Sequence, residues 1–139
     1  MTGRGFVEIV EVGPRDGLQN ETRTIPTAEK VALVDTLSRA GFRRIEAASF
    51  VSPKWVPQMA DGAEVMAAIL RPPGVRFSVL APNLRGYQAA HAAGADEVAV
   101  FVSASEGFSR ANLNATGAVS LDPLRPGAQA AAPDGMARR

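Results

Sequence analysis

Two adjacent charged residues, Arg15 and Asp16, stand in a polar loop directly after the first apolar run of the chain. A carboxylate there is a hard oxygen ligand of the kind that Mg²⁺ or Mn²⁺ prefers. A guanidinium can hold a carbonyl oxygen or a developing enolate through several N–H donors. The pair also suits an ordinary solvated turn, because exposed ion pairs are common and weak. The residue types allow metal and enolate chemistry at this loop without requiring it.

A second acidic residue, Glu46, lies in a short apolar run at residues 43–49. A carboxylate in such a run is costly unless it is paired. Glu46 either faces solvent on a sheet edge or points into the mouth of a barrel, and the pattern leaves both open because it does not define the strand's parity. The loop at 50–59 that follows holds the only tryptophan, Trp55. A loop this long is typical either of a substrate-binding segment or of a packed cover over the rim of the sheet.

The remaining candidates indicate structure more than chemistry. His91 is the only histidine and lies within an alanine-rich helical stretch, so we expect a surface residue and no histidine metal cluster. Ser105 follows the last predicted strand and could bind a ligand through its hydroxyl. The same position is typical of a helix N-cap, which we take as its default role.

The elements that must position these residues alternate between strand and helix. Apolar and β-branched runs predict strands at 6–12, 43–49, 75–80 and 97–102. Helical periodicity predicts helices at 27–40, with Thr27 as N-cap, at 63–70 and at 82–93. Short glycine and proline turns separate the elements, and this order indicates βα units in a parallel sheet.

Four βα units fit two architectures. One is a small doubly wound sheet, complete at this length, and the other is half of an eight-stranded βα barrel, which takes about 250 residues. Periodicity does not separate them. In both, ligands bind at the carboxyl ends of the strands, which is where Arg15 and Asp16 lie.

The last stretch, residues 115–139, is rich in alanine, proline and glycine and has no aromatic residue. Pro123, Pro126 and Pro133 interrupt any helical stripe there. Such low-complexity sequence buries too little apolar surface to become ordered. We therefore expect a folded domain at residues 1–114 and a disordered tail at 115–139.

Composition narrows the class of protein. The chain has 139 residues, a net charge of +1 and no cysteine. Near-balanced charge without a basic stripe predicts no nucleic-acid partner. The absence of cysteine excludes a disulfide framework, a thiolate zinc site and a cysteine nucleophile within these residues. No apolar run approaches the length of a membrane span, and the start lacks a signal-peptide pattern, so we predict a cytoplasmic protein with no membrane partner.

Several long strings together resemble the hydroxymethylglutaryl-CoA lyase family, within the superfamily of metal-dependent βα-barrel lyases and synthases. The strings are EVGPRDGLQNE (11–21), IE (45–46), SFVSPKWVPQM (49–59), PNLRG (82–86) and the stretch 101–114. The superfamily shares only the Arg-Asp-Gly-x-Gln core, whereas the preceding Gly-Pro and the 49–59 string are similar to the lyase branch. The resemblance implies that the chain is the N-terminal half, about four βα units, of a TIM-type (β/α)8 barrel.

The resemblance also implies an activity and roles for single residues. The family cleaves 3-hydroxy-3-methylglutaryl-CoA to acetyl-CoA and acetoacetate by a metal-dependent retro-Claisen reaction of leucine degradation and ketone-body metabolism. Asp16 falls on the ligand of the divalent cation, Mg²⁺ or Mn²⁺. Arg15 falls on the arginine that binds substrate and acts in catalysis, Gln19 on the substrate-binding core loop, and Glu46 on a catalytically important acid. The implied partner is an acyl-CoA substrate.

The family's later half supplies two histidines, an asparagine and a cysteine to the active site. This sequence has no cysteine and no His-x-His, so we expect a truncated chain whose own activity is doubtful. One alternative keeps the superfamily and changes the reaction to that of an acyl-CoA condensing synthase of the isopropylmalate type. Another is a non-catalytic half-barrel whose exposed sheet edges pair with another chain, for instance in a homo-oligomer.

Overall fold

Five parallel strands form one sheet, and their order in space is their order along the chain. The structure is a computed structural model that describes residues 5–101, 105, 124–133 and 135–138. The strands are β1 (Val10–Glu11), β2 (Arg44–Ser49), β3 (Arg76–Leu80), β4 (Glu97–Ala99) and β5 (Ala137–Arg138). Each pairs in parallel with the next one along the chain.

Helices lie between successive strands: α1 (Thr27–Arg39), α2 (Gly62–Ala68), α3 (Leu84–Ala92) and α4 (Leu124–Ala131). Right-handed crossovers that always advance in one direction place every helix on the same side of the sheet. A doubly wound sheet instead reverses its strand order part-way across. The five described strands show no reversal, so the sheet is a section of a βα barrel, as the resemblance implies.

Local sequence explains where the helices begin and end. Gly41 follows α1 with φ of +101°, and Gly94 follows α3 with φ of +72°. This left-handed conformation favours glycine and ends a helix. At the start of α3, the Asn83 side chain accepts a hydrogen bond of 2.9 Å from the Gly86 N–H, which caps the helix.

The two faces of the sheet differ in polarity. Ile45 lies in register with Phe77, and both are fully buried against the helices. Glu46 lies in register with Ser78, and Ser78 with Glu97, which places a polar row on the opposite face. All three polar residues are buried. The inner face of the barrel section therefore carries charge and hydroxyl groups, while the outer face packs against the helices.

The apolar core fills the space between the sheet and the helices. Its buried members include, besides the strand residues, Val34, Val65, Met66, Ile69, Tyr87 and Ala90. A bulge between Glu46 and Ala48 shifts the register of β2 against β3, and the strand is buried on both faces from Ile45 to Ser49.

The first strand is shorter than the predicted 6–12. Val10 already pairs with Arg44, the first residue of β2, so the residues before Val10 extend past the end of their neighbour. Phe6, Val7 and Ile9 are consequently exposed. The fourth strand ends at Ala99, so Val100 and Phe101 do not belong to it as predicted, and residue 102 lies outside the described residues.

The expected disorder of the tail is wrong for the parts that the structure describes. Residues 124–131 form α4, which packs on α3, and Ala131 and Met136 are buried in the core. Pro126 is tolerated because it lies in the first turn, where the N–H groups have no partner within the helix. Pro133 lies beyond the helix's end. The prolines therefore border this helix instead of breaking it.

Among the described residues, no helix is long and apolar enough to cross a membrane.

Candidate active site

A tight turn at the carboxyl end of β1 positions the first loop. Gly13–Gly17 forms a π-helical turn, in which the Arg15 and Asp16 N–H groups both donate to the Val12 carbonyl, at 3.1 and 2.7 Å. Pro14 is buried and anchors the turn. The turn directs the two neighbouring charged side chains to different surroundings.

Arg15 reaches the inner face of the sheet and binds Glu46. Its Nε donates to Oε1 of Glu46, whose side chain is only 1% exposed. Its Nη1 donates to Oδ1 of Asp16 at 3.0 Å. The structure thus brings together three of the residues singled out in the sequence and decides the orientation of Glu46, which points inward and is paired.

The electrostatic balance at Arg15 is incomplete. Burial lowers the pKa of the Arg15 guanidinium, and the charge of Asp16 raises it without cancelling that shift. An arginine remains protonated at neutral pH even so. Asp16 is 57% exposed, so solvent screens much of its attraction for Arg15. The guanidinium therefore stays charged between one buried and one exposed carboxylate.

Asp16 has the chemistry of a single metal ligand. Its exposed carboxylate stands at the carboxyl edge of the sheet and offers the oxygen donors that Mg²⁺ and Mn²⁺ take. Within the described part of the chain, no three histidine, cysteine, aspartate or glutamate residues converge on one point. The described residues thus fit one ligand of a cation, not a complete site.

Gln19 lies just beyond the turn and is half-buried. Its Oε1 atom is buried and has no hydrogen-bond partner among the described residues. The neighbouring Asn20 instead donates to the Asp16 carbonyl at 2.7 Å, which holds the loop to the turn. A buried acceptor without a partner is unusual and is able to receive a hydrogen bond from a ligand.

Sequence reasoning missed a second arginine–glutamate pair on the same inner face. Arg44 Nη2 donates to Glu97, which is 2% exposed, and Arg44 Nη1 donates to Glu8 at 2.9 Å. Arg76 also lies 3.5 Å from Glu8. The only available signal was that a charged residue begins each strand, Arg44 in β2 and Glu97 in β4. This signal carries no information about which residues pair across strands.

Sequence reasoning also missed a buried lysine that ties α1 to the 50–59 loop. Lys30 is 4% exposed, and its Nζ lies 2.5 Å from Asp61 Oδ1 and 2.5 Å from the Gln58 carbonyl. Thr27 is not the N-cap of α1, because Pro26 occupies that position. The Thr27 hydroxyl donates instead to Asp61 Oδ2 at 2.7 Å.

The remaining candidates have simpler surroundings. The 50–59 loop lines a cleft of about 600 Å³, and Trp55 is exposed. His91 is exposed on α3 with its ring 6.2 Å from that of Tyr87, as expected for a surface residue. The residues on both sides of Ser105 lie outside the described part, so its capping role stays a prediction.

Comparison with known proteins decides the family. Residues 6–136 match the family described as HMGL-like. The chain belongs to the HMGL-like family. Over 108 residues it is 62% identical to the mitochondrial hydroxymethylglutaryl-CoA lyase of Bos taurus, covering 78% of this chain and 33% of that relative. Over 125 residues it is 57% identical to a 3-hydroxy-3-isohexenylglutaryl-CoA/hydroxymethylglutaryl-CoA lyase of Pseudomonas aeruginosa, covering 90% of this chain and 42% of that one.

Solved HMG-CoA lyases share the fold. The Brucella melitensis enzyme superposes with a TM-score of 0.89 at 61% identity, covering 96% of this chain and 48% of that structure. An Acinetobacter baumannii lyase in complex with coenzyme A and 3-methylmalate gives a TM-score of 0.85 at 40% identity, covering 94% and 43%. The HMGL-like chain thus spans a third to a half of the proteins it matches, and its sheet is the corresponding part of their barrels.

Proposed function

We propose that this chain carries part of a hydroxymethylglutaryl-CoA lyase active site, the part that contains the catalytic arginine. The observation that supports this most directly is the Arg15 guanidinium, bound to buried Glu46 at the carboxyl edge of the sheet. The relatives at 57–62% identity are named as lyases of this class. The reaction is the retro-Claisen cleavage of 3-hydroxy-3-methylglutaryl-CoA to acetyl-CoA and acetoacetate.

Arg15 stabilises the charge that cleavage creates. Breaking the carbon–carbon bond needs loss of the tertiary hydroxyl proton and leaves the electron pair on the thioester as an enolate. A guanidinium held in place before the reaction, with N–H donors aimed at the developing oxyanion, lowers the barrier without reorganising. Glu46 accepts from Nε and Asp16 accepts from Nη1, so the Nη2 group is the donor that would face the substrate.

Glu46 acts first as the residue that positions Arg15. Its carboxylate is buried and binds the guanidinium from the strand side, which restricts the rotation of a long flexible side chain. In this arrangement Glu46 keeps Arg15 charged and oriented. Proton transfer by Glu46 remains a second role, for which a substrate hydroxyl would have to come within hydrogen-bond distance.

Asp16 and Gln19 complete the loop's contribution. Asp16 would hold a divalent cation, Mg²⁺ or Mn²⁺, which supplies Lewis-acid polarisation of substrate oxygens when bound. The buried Gln19 Oε1 would accept a hydrogen bond from the substrate. Further cation ligands would have to come from outside the described residues, because no three candidate ligands converge among these.

Cleavage is favoured over condensation of the isopropylmalate type, because the two relatives compared above are named as lyases. The Pseudomonas relative's name includes an isohexenyl substrate, so the proposed class is 3-hydroxy-3-alkylglutaryl-CoA thioesters, with leucine degradation as the metabolic setting. We retain the cytoplasm as the predicted compartment, although the bovine relative is mitochondrial. A homo-oligomer also stays a prediction, which size-exclusion chromatography of the 139-residue chain would test.

A chimera tests the proposed reaction. Residues 6–101 of this chain would replace the matching segment of the Pseudomonas lyase, which keeps the later strands of that enzyme. We expect Mg²⁺- or Mn²⁺-dependent release of acetoacetate from 3-hydroxy-3-methylglutaryl-CoA. Release of free coenzyme A from acetyl-CoA and a keto acid, without acetoacetate formation, would support the condensing alternative instead.

A further inference from the structure

Lys30, in the first turn of α1, is a buried cation. The chain has two lysines, Lys30 and Lys54, and only Lys30 is buried. An ammonium group out of water is costly unless its N–H donors are satisfied. Nζ of Lys30 donates to Oδ1 of Asp61 and to the Gln58 carbonyl, each at 2.5 Å. Both acceptors belong to residues 57–61, which join the 50–59 loop to α2, so one buried charge holds this segment at two points.

The second partner, Asp61, is used in an unusual way. It stands at the N-cap of α2, where an aspartate side chain normally accepts from the helix's own N–H groups, yet it makes no such bond. Oδ1 binds Lys30, and Oδ2 accepts from the Thr27 hydroxyl at 2.7 Å. Both carboxylate oxygens are therefore directed to α1, and the contact fixes the segment 57–61 against the start of that helix.

Gln58 connects this segment to the loop at 12–26, which carries Arg15. The Gln58 carbonyl accepts from Lys30, while the Gln58 side chain donates through Nε2 to the Glu21 carbonyl at 3.2 Å. Glu21 lies in the 12–26 loop. A chain of hydrogen bonds thus runs from α1 through Gln58 to the loop that holds the arginine.

This support differs from the one that Glu46 supplies. Glu46 binds the Arg15 side chain and makes no described hydrogen bond to the backbone of its loop. That backbone is held at its start by the bond from the Arg15 N–H to the Val12 carbonyl, and farther along by Gln58. None of the described hydrogen bonds joins Lys30 to Arg15, so Lys30 acts on the arginine only through the loop.

We propose that Lys30 is a positioning residue of the active site, because it holds the segment 57–61 and, through Gln58, the loop at 12–26. The inference rests on the proposed function for the reaction that Arg15 serves. A catalytic group displaced by about 1 Å loses about 100-fold in rate, even when the cause lies far from the chemistry. Release of the loop should therefore lower turnover in a molecule that is still folded.

Hydrogen–deuterium exchange of the 139-residue chain tests whether Lys30 holds the loop. Lys30→Met keeps the stem and removes the ammonium, and Gln58→Met removes the side-chain donor and keeps the carbonyl. The matched control is Asp35→Ala, on the same helix. Asp35 accepts from the Leu70 N–H at 2.9 Å, so it also ties α1 to the chain beside α2, but without contact to either loop.

We expect Lys30→Met to speed exchange about tenfold in peptides from both 12–26 and 50–61, as loss of charged hydrogen bonds predicts. Gln58→Met should speed exchange at 12–26 alone, and Asp35→Ala at neither. Cleavage by a lysine-specific endoproteinase is a second measurement, because Lys54 is the exposed lysine and lies in the 50–59 loop. Cleavage after Lys54 should be faster in Lys30→Met than in the wild type.

The chimera tests the effect on the reaction, with turnover counted per folded molecule by circular dichroism. Lys30→Met should lower kcat about 10- to 100-fold and raise KM much less, and Lys30→Arg should restore part of the loss. Gln58→Met should also lower kcat. The double variant should be no slower than Lys30→Met alone, because both changes break one chain of contacts. Asp35→Ala should stay within about twofold, as surface substitutions usually do.

Unchanged exchange at 12–26 in Lys30→Met would overturn the proposal. An active chimera in which Lys30→Met keeps kcat within twofold, or in which the effects of Lys30→Met and Gln58→Met multiply, would overturn it as well. If Lys30→Met does not fold, Gln58→Met alone has to speed exchange at 12–26 and lower kcat, and failure of either contradicts the proposal. A parent chimera that releases no acetoacetate contradicts the proposed function instead, and exchange then decides whether Lys30 holds the loop.

Discussion

The inner face of the sheet carries two buried arginine–glutamate pairs that differ in the exposure of the second carboxylate that each arginine contacts. Arg44 contacts two glutamates, Glu8 and Glu97, and these hydrogen bonds raise the pKa of its guanidinium. Arg15 contacts buried Glu46 and exposed Asp16, and burial lowers the pKa of its guanidinium. Both arginines lie near the same row of inward side chains.

The difference distinguishes a structural arginine from one available for chemistry. Arg44 has a carboxylate on each side, so its charge is balanced by ion pairs within the protein. Arg15 also contacts two carboxylates, but one of them, Asp16, is 57% exposed and belongs to the loop. A cation in a fixed position, with an exposed partner that a ligand can replace, suits the stabilisation of a transition-state oxyanion.

The largest expected effect is on stability, from Arg44→Met in the 139-residue chain. This change leaves Glu97 buried without its arginine, and breaking a buried ion pair costs about 3–5 kcal/mol. Urea denaturation would measure the loss in unfolding free energy. In the chimera, turnover per folded molecule should stay near that of the parent. A folded Arg44→Met chimera that loses turnover as Arg15→Met does would end the distinction between the two arginines.

The next effect is on catalysis, from Arg15→Met in the chimera. We expect kcat to fall by about 10²–10³, or roughly 2.7–4 kcal/mol, with little change in KM, because the lost interaction forms mainly in the transition state. Lysine at this position should restore activity only in part, since an ammonium lacks the planar fork of donors.

Arg39→Met is the matched control for the chimera, because Arg39 is an exposed helix residue. Its turnover should stay within about twofold, as surface substitutions usually do. Near-normal turnover of Arg15→Met in steady-state kinetics would remove Arg15 from the mechanism and leave the two pairs functionally alike.

A third ion pair, Lys30–Asp61, sharpens the comparison because it lies outside the sheet. Burial raises the pKa of Asp61, but hydrogen bonds from Lys30 and Thr27 outweigh it, so that this pKa lies below its ordinary value of 3.8. The pair therefore stabilises the fold above about that pH and loses its effect as pH falls through the lower, folded value. Asp61→Asn should cost about 1–3 kcal/mol at pH 7.

The measurement for Asp61 is thermal or urea unfolding of wild type and Asp61→Asn between pH 7 and pH 3. The two stability curves should converge as acid protonates Asp61 in the wild type. A difference that stays constant over the whole range would mean that the ion pair contributes nothing through its charge.

The smallest expected effect concerns Asp16, the exposed carboxylate next to Arg15. Asp16 alone does not complete an octahedral shell, so the 139-residue chain should bind Mg²⁺ or Mn²⁺ at millimolar concentration or more weakly. In the chimera, Asp16→Asn should raise the cation concentration needed for activity. Calorimetry that finds micromolar binding by the isolated chain would show a site built from these residues alone.

Much of the fold was predictable because glycine and proline mark its turns and because the helices follow the apolar periodicity. The placement of Arg15 and Asp16 at the carboxyl edge followed from their position after a strand. The inward direction of Glu46 was not predictable, because both faces of β2 are buried and its sequence therefore does not alternate between apolar and polar residues.

The missed features share a physical cause, which is contact between residues far apart in the chain. Lys30 and Asp61 are 31 residues apart, and Arg44 and Glu97 are 53 apart. The order of the tail likewise depends on the burial of Ala131 and Met136 in a core built by earlier residues. Composition describes each segment alone and carries no record of such partners.

The strand order has a consequence for how the chain is made. Because each strand pairs with the one before it, every new strand that leaves the ribosome can pair with a strand that has already been synthesised. No described strand after β1 has to wait for a partner encoded later, so ordering can proceed from the N-terminus as synthesis continues. The free side of β1 is open from the start of synthesis, and Phe6, Val7 and Ile9 lie next to it with their side chains in water. During synthesis this edge is the part of the molecule most in need of protection by a chaperone.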